Sequence, residues 1–152
     1  MVMKSKMIIT IHLMRGLVIA LLLVSFSTLV APDARATPQC FTLTMSPSSA
    51  TIHRGGSPVT YQILITSVGG FSGTVNVGVT GISPANSNGL LLKVRNYDNW
   101  VAANGHAGTI MTASASQATL PSTYTITMTG KDITGGICHG VTNAVNVNLT
   151  VM

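Results

Sequence analysis

Apolar and polar residues alternate with a period of two along most of the chain from residue 41 onward, and no segment carries an apolar stripe at helical spacing. The last row is typical: Val145, Val147, Leu149 and Val151 are separated by asparagine and threonine. A period of two places successive side chains on opposite faces of a strand, which favours half-buried strands in an antiparallel sheet. We therefore predict an all-β fold.

Turn residues divide this pattern into short rows. Residues 69–81, GGFSGTVNVGVTG, combine a glycine turn with a strand, residues 96–108 have no clear period, and residues 130–136 look like a turn. The spacing predicts about seven or eight strands in an antiparallel β-sandwich. The strand count alone leaves a closed barrel as an alternative.

The first residues have the three parts of an export signal. Lys4, Lys6 and Arg15 form a basic flank, residues 16–30 are an apolar core, and residues 34–36 are Ala-Arg-Ala, a small-x-small cleavage pattern. The apolar run is shorter than the roughly 20 residues that a membrane-spanning helix needs. We predict removal of the signal and no stable membrane insertion afterwards; a retained anchor is the alternative.

These boundaries give an export signal at residues 1–36 and one domain at residues 37–152, in a secreted, periplasmic or cell-surface protein. Half of the eight basic residues and one of the three acidic residues precede residue 37, so the remaining formal charge is +2 instead of +5. Only Lys93 and Arg95 then form a basic pair, and their spacing of two places both on the outward side of one strand. This charge distribution gives no indication of nucleic-acid binding.

Several short motifs follow one another in a recognisable order. Residues 41–84 contain a Phe-x-Leu strand, a Ser-Pro, a Gly-x-Ser turn, a Tyr-x-Ile-x-Ile strand and Gly-Phe-Ser-Gly-Thr-Val, and Thr-Tyr-Thr-Ile-Thr occurs late in the chain. This order resembles the bacterial immunoglobulin-like modules of secreted and surface proteins, which are often fused to extracellular peptidases and glycosidases. The resemblance implies an immunoglobulin-like β-sandwich with a structural or surface-binding role and no shared catalytic residues. It is poor between residues 85 and 120.

The only two cysteines are Cys40 and Cys138. An exported pair of this kind is expected to be oxidised. In an immunoglobulin-like sandwich the beginnings of the first and last strands lie at the same end, so we predict a disulfide. A small copper-binding protein is a remote alternative, because His139 adjoins Cys138, but the methionine spacing of such sites is missing. We predict no metal site.

Acid–base catalysis has few candidate residues. Beyond residue 36 the chain has no Glu and two Asp: Asp98, in the unpatterned segment, and Asp132, in the predicted turn. No Gly-x-Ser-x-Gly or His-Glu-x-x-His motif occurs. We predict that the protein is not an enzyme and uses no cofactor.

A candidate binding site lies where the resemblance is poor. Tyr97, Asp98, Asn99 and Trp100 combine aromatic and polar groups that suit stacking on a sugar ring and hydrogen bonding to its hydroxyls. The expected partner is cell-surface polysaccharide or another extracellular protein. The alternative is that Trp100 fills the core or covers an end of the sandwich.

Overall fold

The computed structural model describes residues 39–152, which form nine β-strands. The predicted export signal and its cleavage site lie outside the described residues and stay predictions. In the described part of the chain no helix is long and apolar enough to cross a membrane. The strands are β1 (Phe41–Ser46), β2 (Ser49–Ile52), β3 (Val59–Ser67), β4 (Gly73–Ser83), β5 (Leu90–Val94), β6 (Asp98–Val101), β7 (His106–Ala115), β8 (Ser122–Asp132) and β9 (Thr142–Val151).

The strands form two sheets. The four-stranded sheet has the order β1-β3-β7-β5 and the five-stranded sheet the order β2-β9-β8-β4-β6. All pairs are antiparallel except β2 with β9, which runs parallel. The predicted immunoglobulin-like antiparallel β-sandwich is confirmed, and the closed barrel is excluded because each sheet has two edge strands.

The core lies between the sheets and consists of the inward halves of the alternating rows. Tyr61, Ile63 and Ile65 of β3 face the core, as do Ile126 and Met128 of β8. Two buried tyrosines keep their hydroxyl groups bonded to backbone carbonyls: Tyr61 donates to Asn148 over 3.1 Å, and Tyr124 donates to Leu120 over 2.8 Å. The alternation with a period of two therefore correctly predicted which residues of these strands face the core.

Two segments differ from the sequence prediction. Residues 96–108 contain the strand β6, which the sequence did not indicate because one of its two inward residues is the polar Asn99. The predicted turn at residues 130–136 begins later, because β8 continues to Asp132. The strand count is therefore nine, more than the seven or eight expected.

The predicted disulfide between Cys40 and Cys138 is present. Cys40 immediately precedes β1, and Cys138 lies in the connection between β8 and β9, with 6.0 Å between the two Cα atoms. The bond links residues 98 positions apart. It joins the ends of the two sheets at one pole of the sandwich, whereas the bridge of antibody domains crosses the core.

Candidate functional site

Trp100 lies on the outer face of the five-stranded sheet. It belongs to the edge strand β6, in which Asp98 and Trp100 point outward while Asn99 and Val101 point into the sandwich. The indole is 62% exposed, so the interpretation of Trp100 as a core residue is wrong. Tyr97, in the connection before β6, is 56% exposed.

Asn99 is buried, whereas the other three candidate residues are exposed. Only 7% of it is exposed, and its side-chain amide donates to the carbonyl oxygens of Asn96 and Tyr97 at 3.2 and 3.1 Å. These bonds satisfy a buried amide and hold the connection between β5 and β6 in place. Asn99 therefore orients the strand that carries Trp100, and its side chain does not reach the outer face.

The neighbouring strands supply the rest of this surface. Thr74 of β4 lies directly across from Trp100, and Asn76 lies across from Asp98. On the other side of Asn76, Lys131 of β8 occupies the paired position. We call the surface formed by these five residues the Trp100 face. Thr74, Asn76 and Lys131 could not be assigned to it from the sequence, because a period of two gives their outward direction but not their strand partners.

The polar groups of the Trp100 face are partly fixed and partly available. The amide of Asn76 donates a 2.6 Å hydrogen bond to Oδ1 of Asp98. Within residues 39–152 the second carboxylate oxygen and the ammonium group of Lys131 make no hydrogen bond or ion pair. The Trp100 face therefore carries one carboxylate and one ammonium group in addition to the exposed indole, and it has no net charge.

The outer surface of β4 continues from Asn76 toward the end of the strand. Gly78 follows Asn76 on the same side of the strand, and a Cβ atom added there would meet no atom within 4 Å. Thr129 lies across from Gly78 on β8. The surface next to Asn76 is therefore open at Gly78, and a side chain introduced there would occupy this space.

The two aspartates cannot act as a catalytic pair in this arrangement. Asp98 is on the outer face of the five-stranded sheet, whereas Asp132 is on its inner face and fully buried. Oδ1 of Asp132 accepts a 3.0 Å hydrogen bond from the Thr134 amide, and Oδ2 has no hydrogen-bond partner among the described residues. Asp132 thus holds the start of the β8–β9 connection, next to the segment that carries Cys138.

The remaining metal-ligating side chains are dispersed. Among residues 39–152, no group of three or more His, Cys, Asp or Glu side chains could hold a metal ion. His53, His106 and His139 are exposed in or near separate turns. Cys138 is bonded to Cys40 and so provides no thiolate, which excludes the copper site considered for Cys138 and His139.

Known proteins resemble this chain in their fold. The sequence matches no protein-family profile and no curated protein. A family 123 glycoside hydrolase from Clostridium perfringens is similar in structure with a TM-score of 0.55 and 6% sequence identity, over 74% of this chain and 27% of the hydrolase. This chain thus spans about a quarter of the length of that enzyme.

Two further structures have lower scores. The PapD-like domain 7 of human CEP192 has a TM-score of 0.49 and 12% identity, over 84% of this chain and 94% of that domain. AggA, the major subunit of aggregative adherence fimbriae type I from Escherichia coli, has a TM-score of 0.45 and 12% identity, over 77% of this chain and 98% of AggA. The strand order of its two sheets defines the protein as an immunoglobulin-like β-sandwich, and its one tryptophan is exposed on the five-stranded sheet.

Proposed function

We propose that the protein is an exported, non-catalytic module with an adhesion-type role, and that it binds polysaccharide through the Trp100 face. The single observation that carries this proposal is the exposure of Trp100, the only tryptophan of the chain, in an ordered strand. A large exposed aromatic side chain costs solvation free energy and is enriched at binding sites.

The surroundings of Trp100 favour a saccharide over an apolar partner. Sugar rings present apolar C–H faces that stack on indole, and their hydroxyl groups need donors and acceptors close by. Asp98 offers a carboxylate oxygen, and Lys131 offers an ammonium group, both without partners in the described residues. Thr74 adds a polar neighbour directly across from the indole.

Two observations support an extracellular, non-catalytic setting. The disulfide between Cys40 and Cys138 suits an oxidising compartment, in agreement with the export signal proposed for residues 1–36. The described carboxylates, Asp98 and Asp132, lie on opposite faces of one sheet, so they cannot act together on a glycosidic bond at either face.

The experiment compares retention of the protein on insoluble polysaccharides and cell-wall fractions. Residues 1–152, which include the proposed export signal, are expressed, and the exported protein is purified as wild type, Trp100→Ala and Leu91→Ala. Leu91 is an exposed apolar residue of the other sheet and serves as the matched control. We expect Trp100→Ala to weaken binding about tenfold or more, and Leu91→Ala to bind as the wild type does. Equal retention of all three proteins would contradict the proposal.

A further inference from the structure

The outer face of the four-stranded sheet carries a groove on the opposite side of the sandwich from the Trp100 face. Its volume is about 690 Å³, and the side chains or backbone of Thr44, Gln62, Leu64, Arg95, Gly108 and Ile110 line it. Sites for small ligands commonly enclose about 300–1,000 Å³. The groove therefore has the size of a binding site for a short ligand segment.

The groove exists because β7 has no side chain at Gly108. Gly108 is paired with Leu64, which in turn is paired with Thr44 across the sheet. A Cβ atom at Gly108 would meet only the carbonyl oxygen of Ile63, at 3.5 Å, so packing does not require a glycine there. Leu64, 43% exposed, and the half-buried Ile110 provide an apolar floor.

The two charged side chains on this side of the sandwich are both basic. Arg95 lines the groove directly after the end of β5, and its backbone amide donates to the Ile110 carbonyl over 3.0 Å. Lys93 points outward from β5. Within residues 39–152 neither cation has a hydrogen bond or an ion pair from its side chain. The described carboxylates belong to the other sheet: Asp98 on its outer face and Asp132 in the core.

We propose that this groove binds a carboxylated saccharide, a uronate segment of an acidic polysaccharide. The guanidinium group of Arg95 pairs with a sugar carboxylate, a contact that planar Arg makes with two parallel hydrogen bonds. Sugar rings lie on Leu64 and Ile110, and the side chains of Thr44 and Gln62 hydrogen bond to ring hydroxyls. The proposal does not depend on binding at the Trp100 face.

The backbone disfavours an acidic peptide in the same place. A peptide strand gains affinity from main-chain hydrogen bonds at a free sheet edge. The groove crosses the face of the sheet, and the main chains of β3 and β7 are already paired on both sides, with β1, with each other and with β5. Recognition here depends on side chains alone, which suits a ligand rich in hydroxyl and carboxylate groups.

The test is calorimetric titration of the exported protein with oligogalacturonates and with the same oligomers after reduction of their carboxyl groups. We expect saturable binding of the acidic oligomers and at least tenfold weaker binding of the neutral ones. Arg95→Ala is expected to weaken acidic binding about tenfold or more, and Arg95→Lys less. Lys131→Ala, which removes a cation from the opposite face, is the matched control and should have no effect.

A second variant tests the groove without removing a charge. Gly108→Val places a side chain in the groove, so we expect loss of binding. Because valine is favoured in strands, we expect an unchanged or higher melting temperature. Equal binding of polyglutamate and oligogalacturonate would overturn the proposal. So would equal losses in Arg95→Ala and Lys131→Ala, or loss of uronate binding in Trp100→Ala, which would place the ligand on the other sheet.

Discussion

The side-chain amide of Asn76 in β4 donates a 2.6 Å hydrogen bond to Oδ1 of Asp98 in β6. This bond fixes the carboxylate on the outer face, in the strand that carries Trp100, and leaves its second oxygen available. An acceptor held in one position before a ligand arrives loses less conformational entropy on binding. The pair therefore prepares the Trp100 face for hydroxyl groups.

Removal of this support is expected to affect binding more than stability. In Asn76→Ala the carboxylate of Asp98 becomes mobile, and we expect several-fold weaker polysaccharide binding with a stability change of less than about 1 kcal/mol, because the bond is exposed. Asn146→Ala, on β9 of the same sheet face, is the control. Affinity measurements and urea unfolding of the three proteins check this, and unchanged affinity in Asn76→Ala would count against a role for the pair.

The disulfide is expected to contribute much of the stability. It closes a loop across 98 positions, and loss of a constraint of that length costs on the order of 4–5 kcal/mol in the entropic description. Domains of this size are stable by about 5–15 kcal/mol. The double variant Cys40→Ser, Cys138→Ser should therefore unfold at much lower urea concentration. A loss below about 1 kcal/mol would contradict this.

Replacement of Asp132 by alanine should destabilise the protein more than replacement by asparagine. Its Oδ1 accepts a hydrogen bond from the Thr134 amide, while its buried Oδ2 has no hydrogen-bond partner within residues 39–152. Asp132→Ala leaves the Thr134 amide unpaired and should cost about 1–3 kcal/mol. Asp132→Asn keeps an acceptor for the Thr134 amide, so it should cost less. Thermal unfolding distinguishes the two, and a larger loss in Asp132→Asn would contradict this account.

Tyr61 is expected to make stability fall at alkaline pH. Burial raises the pKa of its hydroxyl above the ordinary 10.0. The folded protein then holds a proton that the unfolded chain releases, so this contribution is complete below pH 10 and is lost as pH rises through the folded-state pKa. The Tyr61→Phe variant, measured by urea unfolding at neutral and alkaline pH, should show a smaller alkaline loss than the wild type. An equal loss would argue against Tyr61.

The sequence predicted those parts of the fold that depend on local alternation. The rows of β3, β8 and β9 indicated the directions of Tyr61 and Ile126. The predicted oxidising compartment and the expected topology together indicated the pairing of Cys40 with Cys138. The strand β6 could not be found in this way, because four residues with a polar inward member show no clear period. The direction of Trp100 therefore also stayed open.

The composition of the Trp100 face depends on register between strands far apart in sequence. Asn76, Asp98 and Lys131 form one row only because β6 and β8 pair with β4 in the observed alignment. No local pattern encodes that alignment. The groove at Gly108 could not be predicted from the sequence either, since a single glycine in a strand does not indicate which residues lie across from it.

Fluorescence of the single tryptophan tests the central claim most directly. Because Trp100 is the only tryptophan, the emission spectrum and acrylamide quenching report on this site alone. For the free protein we predict the emission of a solvent-exposed indole with efficient quenching. With a bound soluble polysaccharide we predict a shift to shorter wavelength and protection from acrylamide. Emission and quenching that remain unchanged across a panel of neutral and acidic polysaccharides would contradict binding at the Trp100 face.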